Sequence, residues 1–150
     1  MSRAMLVTVL YRLEGEPTIN SEPGIWNSEF SDIVEGSWYY DAVVWAAEND
    51  IVEGYGNGVF GLDDPVTREQ TVAILYRYSE VKALDVSASA DLSGYTDVGG
   101  ISIWALDALK WAVAEGIIRG RTDTAIAPQG TSTRAEVATI FMRYVENLRT

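Results

Sequence analysis

The chain has 150 residues, 22 acidic against 11 basic side chains for a formal net charge of −11, and 47% hydrophobic residues including five Trp and eight Tyr. A chain of this length buries roughly 70% of its unfolded surface on folding, which suits a single soluble domain with its own core. Cys and His are both absent, which excludes disulfides, thiolate and Ser-His-Asp nucleophiles and Cys- or His-ligated metals, and leaves carboxylates, Lys and Tyr as possible catalysts.

In chain order, the first element is a helix over Ala4–Leu13 entered through Ser2-Arg3, with an apolar face of Leu6, Val9, Leu10 and Leu13. Ala4–Tyr11 behind Arg3 has the short apolar character of a signal-peptide core, but Arg12 ends it and no small-x-small cleavage pattern follows. A connector bearing Pro, Gly and Asn covers about 15–29. After Phe30-Ser31-Asp32 a helix is expected from near Trp38, with Ser37 as its N-cap and Trp38, Ala42, Trp45, Ala46 and Asn49 on one stripe. Asp50 falls where the helix end calls for a left-handed residue. The run Gly54–Pro65 carries turn chemistry and at most a very short strand around Val59-Phe60. Thr67 with Gln70 forms a capping box, and Val72, Leu75, Tyr76 and Ser79 are the buried face of the helix it starts.

A second connector covers about 82–94, and the same order then returns. Tyr95-Thr96-Asp97 precedes a stripe of Trp104, Ala108, Trp111, Ala112 and Glu115; Gly116 takes the left-handed position; Gly120–Gly130 is the turn-rich run. Thr133 and Glu136 cap a last helix with Val137, Ile140, Phe141 and Tyr144 inward, running close to residue 150. The two copies align at an offset of 65–66 residues, the extra residue falling in the connection Gly99–Ile103, and the first helix aligns with the second half of a copy. The chain therefore reads as one module: the back half of a repeat at 1–15, a full repeat at 30–81 and another at 95–148. The predicted fold is all-α, about two helices per repeat around Gly-rich turns.

Three kinds of repeated residue carry chemistry. The tryptophans Trp38, Trp45, Trp104 and Trp111 suit a core stripe, or a platform for a ligand. Asp32 and Asp97 precede helices and suit a turn or cap bond, with a ligand contact as the other possibility. Arg3, Arg68 and Arg134 stand at first helical positions, where a cation is disfavoured by roughly 0.3–1 kcal/mol. Repeating that choice three times implies compensation, either by a carboxylate of a neighbouring repeat or by an external anion held by the guanidinium and free backbone N–H groups.

The motifs Phe30-Ser31-Asp32-Ile33, Gly54-Tyr55-Gly56-Asn57-Gly58-Val59-Phe60, Thr67-Arg68-Glu69-Gln70, Tyr95-Thr96-Asp97-Val98, Gly116-Ile117-Ile118-Arg119-Gly120 and Thr133-Arg134-Ala135-Glu136 together resemble the S-layer homology family across nearly the whole chain. The first copy departs from it, reading Ser2-Arg3-Ala4-Met5 and lacking its Asp- and Trp-bearing front half. The resemblance implies a non-catalytic module that anchors exported bacterial proteins to the cell wall or S-layer through a secondary cell-wall polysaccharide bearing pyruvate ketals, held in Arg-lined grooves between repeats. The positions it implies for glycan binding are Arg3, Arg68, Arg134, Asp32, Asp97, Trp38, Trp104, Gly54 and Gly120. No cofactor and no metal are expected, since no Asp-x-Asp-x-Asp-Gly loop is present and Asp63-Asp64 alone makes none.

Net negative charge argues against nucleic acid and against an anionic membrane surface. No run reaches the roughly 18 apolar residues that a bilayer span requires, Ala42–Ala47 stopping at Glu48. The first helix lacks a partner helix of its own repeat, so it is expected either to pack into the core of the full repeats or to be covered in a homodimer. The chain is expected to be a piece of a larger exported protein. Two other functions compete: a structural module pairing with proteins through the same grooves, and a carboxylate glycoside hydrolase, which would need two acids about 5–9 Å apart.

Overall fold

A computed structural model describes residues 1–148 and contains five α-helices and no β-strand among them: α1 Arg3–Leu13, α2 Tyr40–Glu48, α3 Arg68–Val81, α4 Leu106–Ala114 and α5 Arg134–Leu148. Short 3₁₀ turns occupy Ile25–Ser28, Val98–Gly100 and Ile103–Ala105. The all-α expectation holds. In place of the short strand at Val59-Phe60 there is an irregular loop, with two isolated bridges, Ser2 to Pro65 and Thr67 to Thr131.

The chain divides into two compact units, Met1–Pro65 and the remainder from Val66. Each joins the helix that ends one repeat to the front half of the next, so the units do not coincide with the sequence repeats. In unit 1, α1 packs on α2. Leu6, Val7 and Leu10 of α1 meet a nearly all-apolar α2, in which Tyr40, Ala42, Val43, Val44, Trp45, Ala46 and Ala47 are buried. Tyr11 lies against Trp45 at 5.5 Å between ring centroids. The helix without a partner in its own repeat is thus covered by its own chain, which removes the reason for a dimer through that face. On α1 it is Val7 that is buried, while Val9 faces solvent.

Unit 2 repeats this plan with α3 on α4, Tyr76 meeting Trp111 at 5.4 Å in place of Tyr11 and Trp45. It adds α5, whose Tyr144 stacks near both Tyr78 and Trp111 and shares a hydroxyl bond with Ser79 at 2.9 Å. Val137, Ile140, Phe141 and Tyr144 are buried as the periodicity requires.

Helix ends follow local chemistry. Thr67 and Gln70 form the expected capping box, and Thr133 and Glu136 exchange the equivalent bonds. Ser2 accepts from the Met5 N–H, and Met5 has no carboxylate or amide to complete a capping box. Asp50 and Gly116 take the left-handed conformation, with φ of 59° and 71°. The starts of α2 and α4 differ from expectation. Ser37 is not a cap: α2 begins at Tyr40 behind a turn, and α4 at Leu106 behind the 3₁₀ turn Ile103–Ala105, neither with a side-chain cap. Trp38 and Trp104 precede the helices, and the altered rotation per residue takes them off the inward stripe. They are 61% and 54% exposed, whereas Trp45 and Trp111 are buried.

Trp111 is fully buried, and its indole N–H has no hydrogen-bond partner among the described residues. An orphaned buried donor costs about 1–3 kcal/mol, which truncation to a hydrocarbon recovers. Trp111→Ala is expected to lower unfolding free energy by about 3–5 kcal/mol, and Trp111→Phe by well under half of that, as measured by urea denaturation; equal losses would contradict this packing.

Candidate functional site: arginine struts and a cationic cleft

The arginines that open α1 and α3 turn away from their helix axes into loops of the same unit. Arg3 is 6% exposed; its guanidinium donates to the Phe60 carbonyl at 3.1 Å and the Glu53 carbonyl at 2.9 Å, and lies over the Tyr55 and Phe60 rings at 4.8 and 4.7 Å. Arg68 is 5% exposed and donates to the Ile126 carbonyl at 3.0 Å, the Arg119 carbonyl at 2.5 Å and the Glu136 carboxylate at 3.1 Å. Burial lowers the Arg68 guanidinium's pKa, and Glu136 opposes that shift.

The same loops satisfy the helix ends. The Arg3 and Ala4 N–H groups donate to the Asp64 and Leu62 carbonyls, and those of Arg68 and Glu69 to the Gly130 and Pro128 carbonyls. The Met5 and Gln70 N–H groups are taken by the caps Ser2 and Thr67. At α1 and α3 the compensation for a cation at a helix N-terminus is therefore a cage of backbone carbonyls, joined by Glu136 at Arg68. An external anion on the leading N–H groups is ruled out there, because those donors are occupied.

Asp32 and Asp97 hold the same loops from the other side. Asp32 accepts from the N–H groups of Phe60 at 2.8 Å, Gly61 at 2.9 Å and Leu62 at 3.4 Å; Asp97 accepts from Ile126 at 2.9 Å and Ala127 at 2.8 Å. At Asp32, burial pushes the carboxyl's pKa up, but the three N–H donors outweigh it and hold it below its ordinary value; at Asp97 the Ile126 N–H is the leading cause of the same lowering. Both therefore have the turn-bonding role. Gly54 and Gly120 let each loop close on its motif aromatic: a Cβ at Gly54 would stand 2.5 Å from the Phe30 ring, and one at Gly120 2.8 Å from the Tyr95 ring.

Beside the second strut lies an open cleft of about 430 Å³ lined by Arg68, Arg119, Gly120, Arg121, Glu136 and Arg143. Four of the chain's 11 basic residues meet there against one carboxylate. Arg121 is tied to the Thr131 carbonyl at 2.7 Å and to Glu136 at 2.9 and 3.0 Å. The cleft of unit 1, about 410 Å³, includes Trp26, Phe30 and Gly54 with the acids Glu29, Asp50 and Glu53, and no basic residue lines it. Arg134, at the start of α5, is exposed. The structure thus brings Arg68 and Gly120 together at one cleft and places Gly54 at another, while Trp38, Trp104 and Arg134 stand at the surface. Arg119 falls within the Gly116–Gly120 motif and Arg143 repeats Arg77 and Arg12, but sequence reasoning singled out none of Arg119, Arg121 and Arg143 as a site residue.

The sequence profile of the S-layer homology domain matches residues 29–72 and 94–138, together more than half of the chain. This chain belongs to the S-layer homology family. It is 32% identical to the surface-layer 125 kDa protein of Lysinibacillus sphaericus over 99% of its own length and 12% of that protein's. It is 31% identical to the exoglucanase XynX of Acetivibrio thermocellus, over 97% of this chain and 13% of the enzyme, and 28% identical to a cellulosome-anchoring protein of the same species, over 78% and 26%. The chain thus spans about an eighth of the first two relatives. S-layer homology domains are non-catalytic and anchor proteins to the cell wall, outside the bacterial cell. Among the described residues no helix is long and apolar enough to cross a membrane.

The Asp clamps carry a pH dependence with a defined sign. Because both carboxyls titrate below their ordinary value near 3.8 in the fold, their stabilisation is complete above that value and is lost as pH falls through the lower folded values. Asp97→Asn is expected to cost about 1.5–3 kcal/mol at neutral pH and to flatten the acid limb of stability in urea titrations between pH 5 and 2. An unchanged acid limb would contradict the clamp.

Proposed function

We infer that this S-layer homology module holds its parent protein to the wall by binding an anionic secondary cell-wall polysaccharide that bears pyruvate ketals, with the sugar acid seated in the arginine cleft of unit 2. The observation that carries this reading is the concentration of positive charge in that cleft within a chain of net charge −11. A cleft of net positive charge raises the local concentration of anions, while the acidic remainder repels polyanions whose charges are not spaced to fit. A cavity of this volume is within the range of small-ligand sites.

Further features support it. Trp38 and Trp104 occupy aligned positions and are more than half exposed, which makes them available to stack on sugar rings, and Gly120 brings bare backbone to the cleft wall. Arg134 offers a further surface cation. Arg3, Asp32 and Asp97 keep the loops in shape without touching sugar. Each contact is weak, and attachment of one polymer at several places gains strength through effective concentration.

The test is retention of the protein on purified wall polysaccharide before and after chemical removal of the ketal pyruvate. Retention is expected to fall about tenfold or more on depyruvylation, the equivalent of losing one charge-assisted contact, and Trp104→Ala is expected to weaken it further without changing thermal stability. Equal retention on both polymers would contradict the reading.

A further inference from the structure

The two clefts described above differ in charge and share only three aligned lining positions, Val52/Ile118, Glu53/Arg119 and Gly54/Gly120. Glu53 and Arg119 are 66 residues apart and occupy the same position ahead of Gly54 and Gly120; Glu53 lines the first cleft beside Glu29 and Asp50, Arg119 the second beside Arg121 and Arg143. A carboxylate ligand entering the first cleft meets only like charge, and entering the second meets guanidinium groups. At these short ranges that difference decides occupancy.

Within the second cleft the arginines are not equivalent. Arg68 is buried and engaged with two carbonyls and Glu136, and Arg121 is engaged with Thr131 and Glu136. Glu136 is thereby neutralised by two cations. The side chains of Arg119, exposed, and Arg143, half-buried, have no polar partner among the described residues. Arg119 reaches the cleft from the loop whose carbonyl Arg68 grips, and Arg143 from α5, so the cleft presents two unengaged guanidinium forks on separately held elements. A guanidinium fork matches a carboxylate in a bidentate manner.

We propose that Arg119 and Arg143 are the residues that grip the ligand's carboxylate, that Arg68 only fixes the loop carrying Arg119, and that the acidic cleft of unit 1 takes no anion. This rests on the wall-binding reading for the identity of the polymer but not for the existence of the site. The ligand class is a carboxylate-bearing sugar, and pyruvate itself is the small probe for its acid group.

The experiment follows the arginine Nε–Hε signals of the whole chain by NMR during titration with pyruvate, and measures retention of Arg119→Gln/Arg143→Gln and of Arg119→Glu on the pyruvylated polysaccharide. The signals of Arg119 and Arg143 are expected to move while those of Arg3 and Arg68 stay. Both variants should lose about tenfold or more in retention with unchanged melting temperature, since neither side chain has a partner to lose. Movement of the Arg68 signal alone, or full retention by the double variant while wild type binds, overturns the proposal and leaves the wall-binding reading standing. Pyruvate shifts at Arg119 and Arg143 without any retention of wild type on the polysaccharide would uphold the site and overturn the wall-binding reading instead.

Discussion

A guanidinium buried in a ring of backbone carbonyls is the contact on which each unit depends. Arg3 and Arg68 stand at the first residue of a helix, where the dipole disfavours a cation by roughly 0.3–1 kcal/mol, yet each makes charge-assisted bonds worth about 1.5–3 kcal/mol apiece when formed. The side chain leaves the helix axis and enters a loop whose carbonyls at Phe60 and Glu53, or Ile126 and Arg119, point inward. The same loops turn other carbonyls, at Leu62 and Asp64 or Pro128 and Gly130, onto the leading N–H groups of the helix. Helix end and loop thus satisfy each other, and a delocalised, weakly hydrated cation is the side chain suited to that burial. A buried cation without those partners would be strongly destabilising.

This arrangement explains why the compact units straddle the repeats. The arginine that ends one repeat grips the loop of the next, Asp32 or Asp97 fixes that loop from its far side, and the Tyr11–Trp45 or Tyr76–Trp111 contact closes the helix pair. The units differ where one residue changes what its neighbour must be. In unit 1, Tyr55 covers Arg3 and lies so close to Gly61 that a Cβ there would fall 2.5 Å from its ring. In unit 2, Arg121 replaces Tyr55, and the position of Gly61 is held by Ala127, still left-handed at φ 53°. Arg121 in that place is one of the basic side chains that line the cleft.

Much of this was legible in the sequence. The offset of 65–66 residues identified the repeats, Thr67 with Gln70 and Thr133 with Glu136 marked two helix starts, and Asp50 and Gly116 marked left-handed ends, because each depends on residues close in the chain. The first positions of Arg3, Arg68 and Arg134 were legible for the same reason. Their partners were not: the carbonyls gripped by Arg3 and Arg68 lie 50–58 residues away, and a backbone carbonyl has no sequence signature. Periodicity misplaced Trp38 and Trp104, since it presumes helical rotation from the first residue and both copies begin with a tighter turn. The cleft was invisible because Arg119 has no basic counterpart, being Glu53 in the other copy, and because Arg143, though it repeats Arg77 and Arg12, is an ordinary basic residue on a helix until the fold places it beside Arg119.

The most direct measurement of the strut is the stability and loop hydrogen exchange of Arg68→Lys, which keeps the charge but replaces a planar fork with a single ammonium. One ammonium does not span the Ile126 and Arg119 carbonyls and Glu136 together, so the account predicts a loss of about 2 kcal/mol or more and faster amide exchange at Ile126 and Ala127, with the Arg119 and Arg143 forks still present. Wild-type stability and protection in Arg68→Lys, accompanied by loss of ligand binding, would show that the guanidinium faces the ligand and not the fold, and would contradict the account.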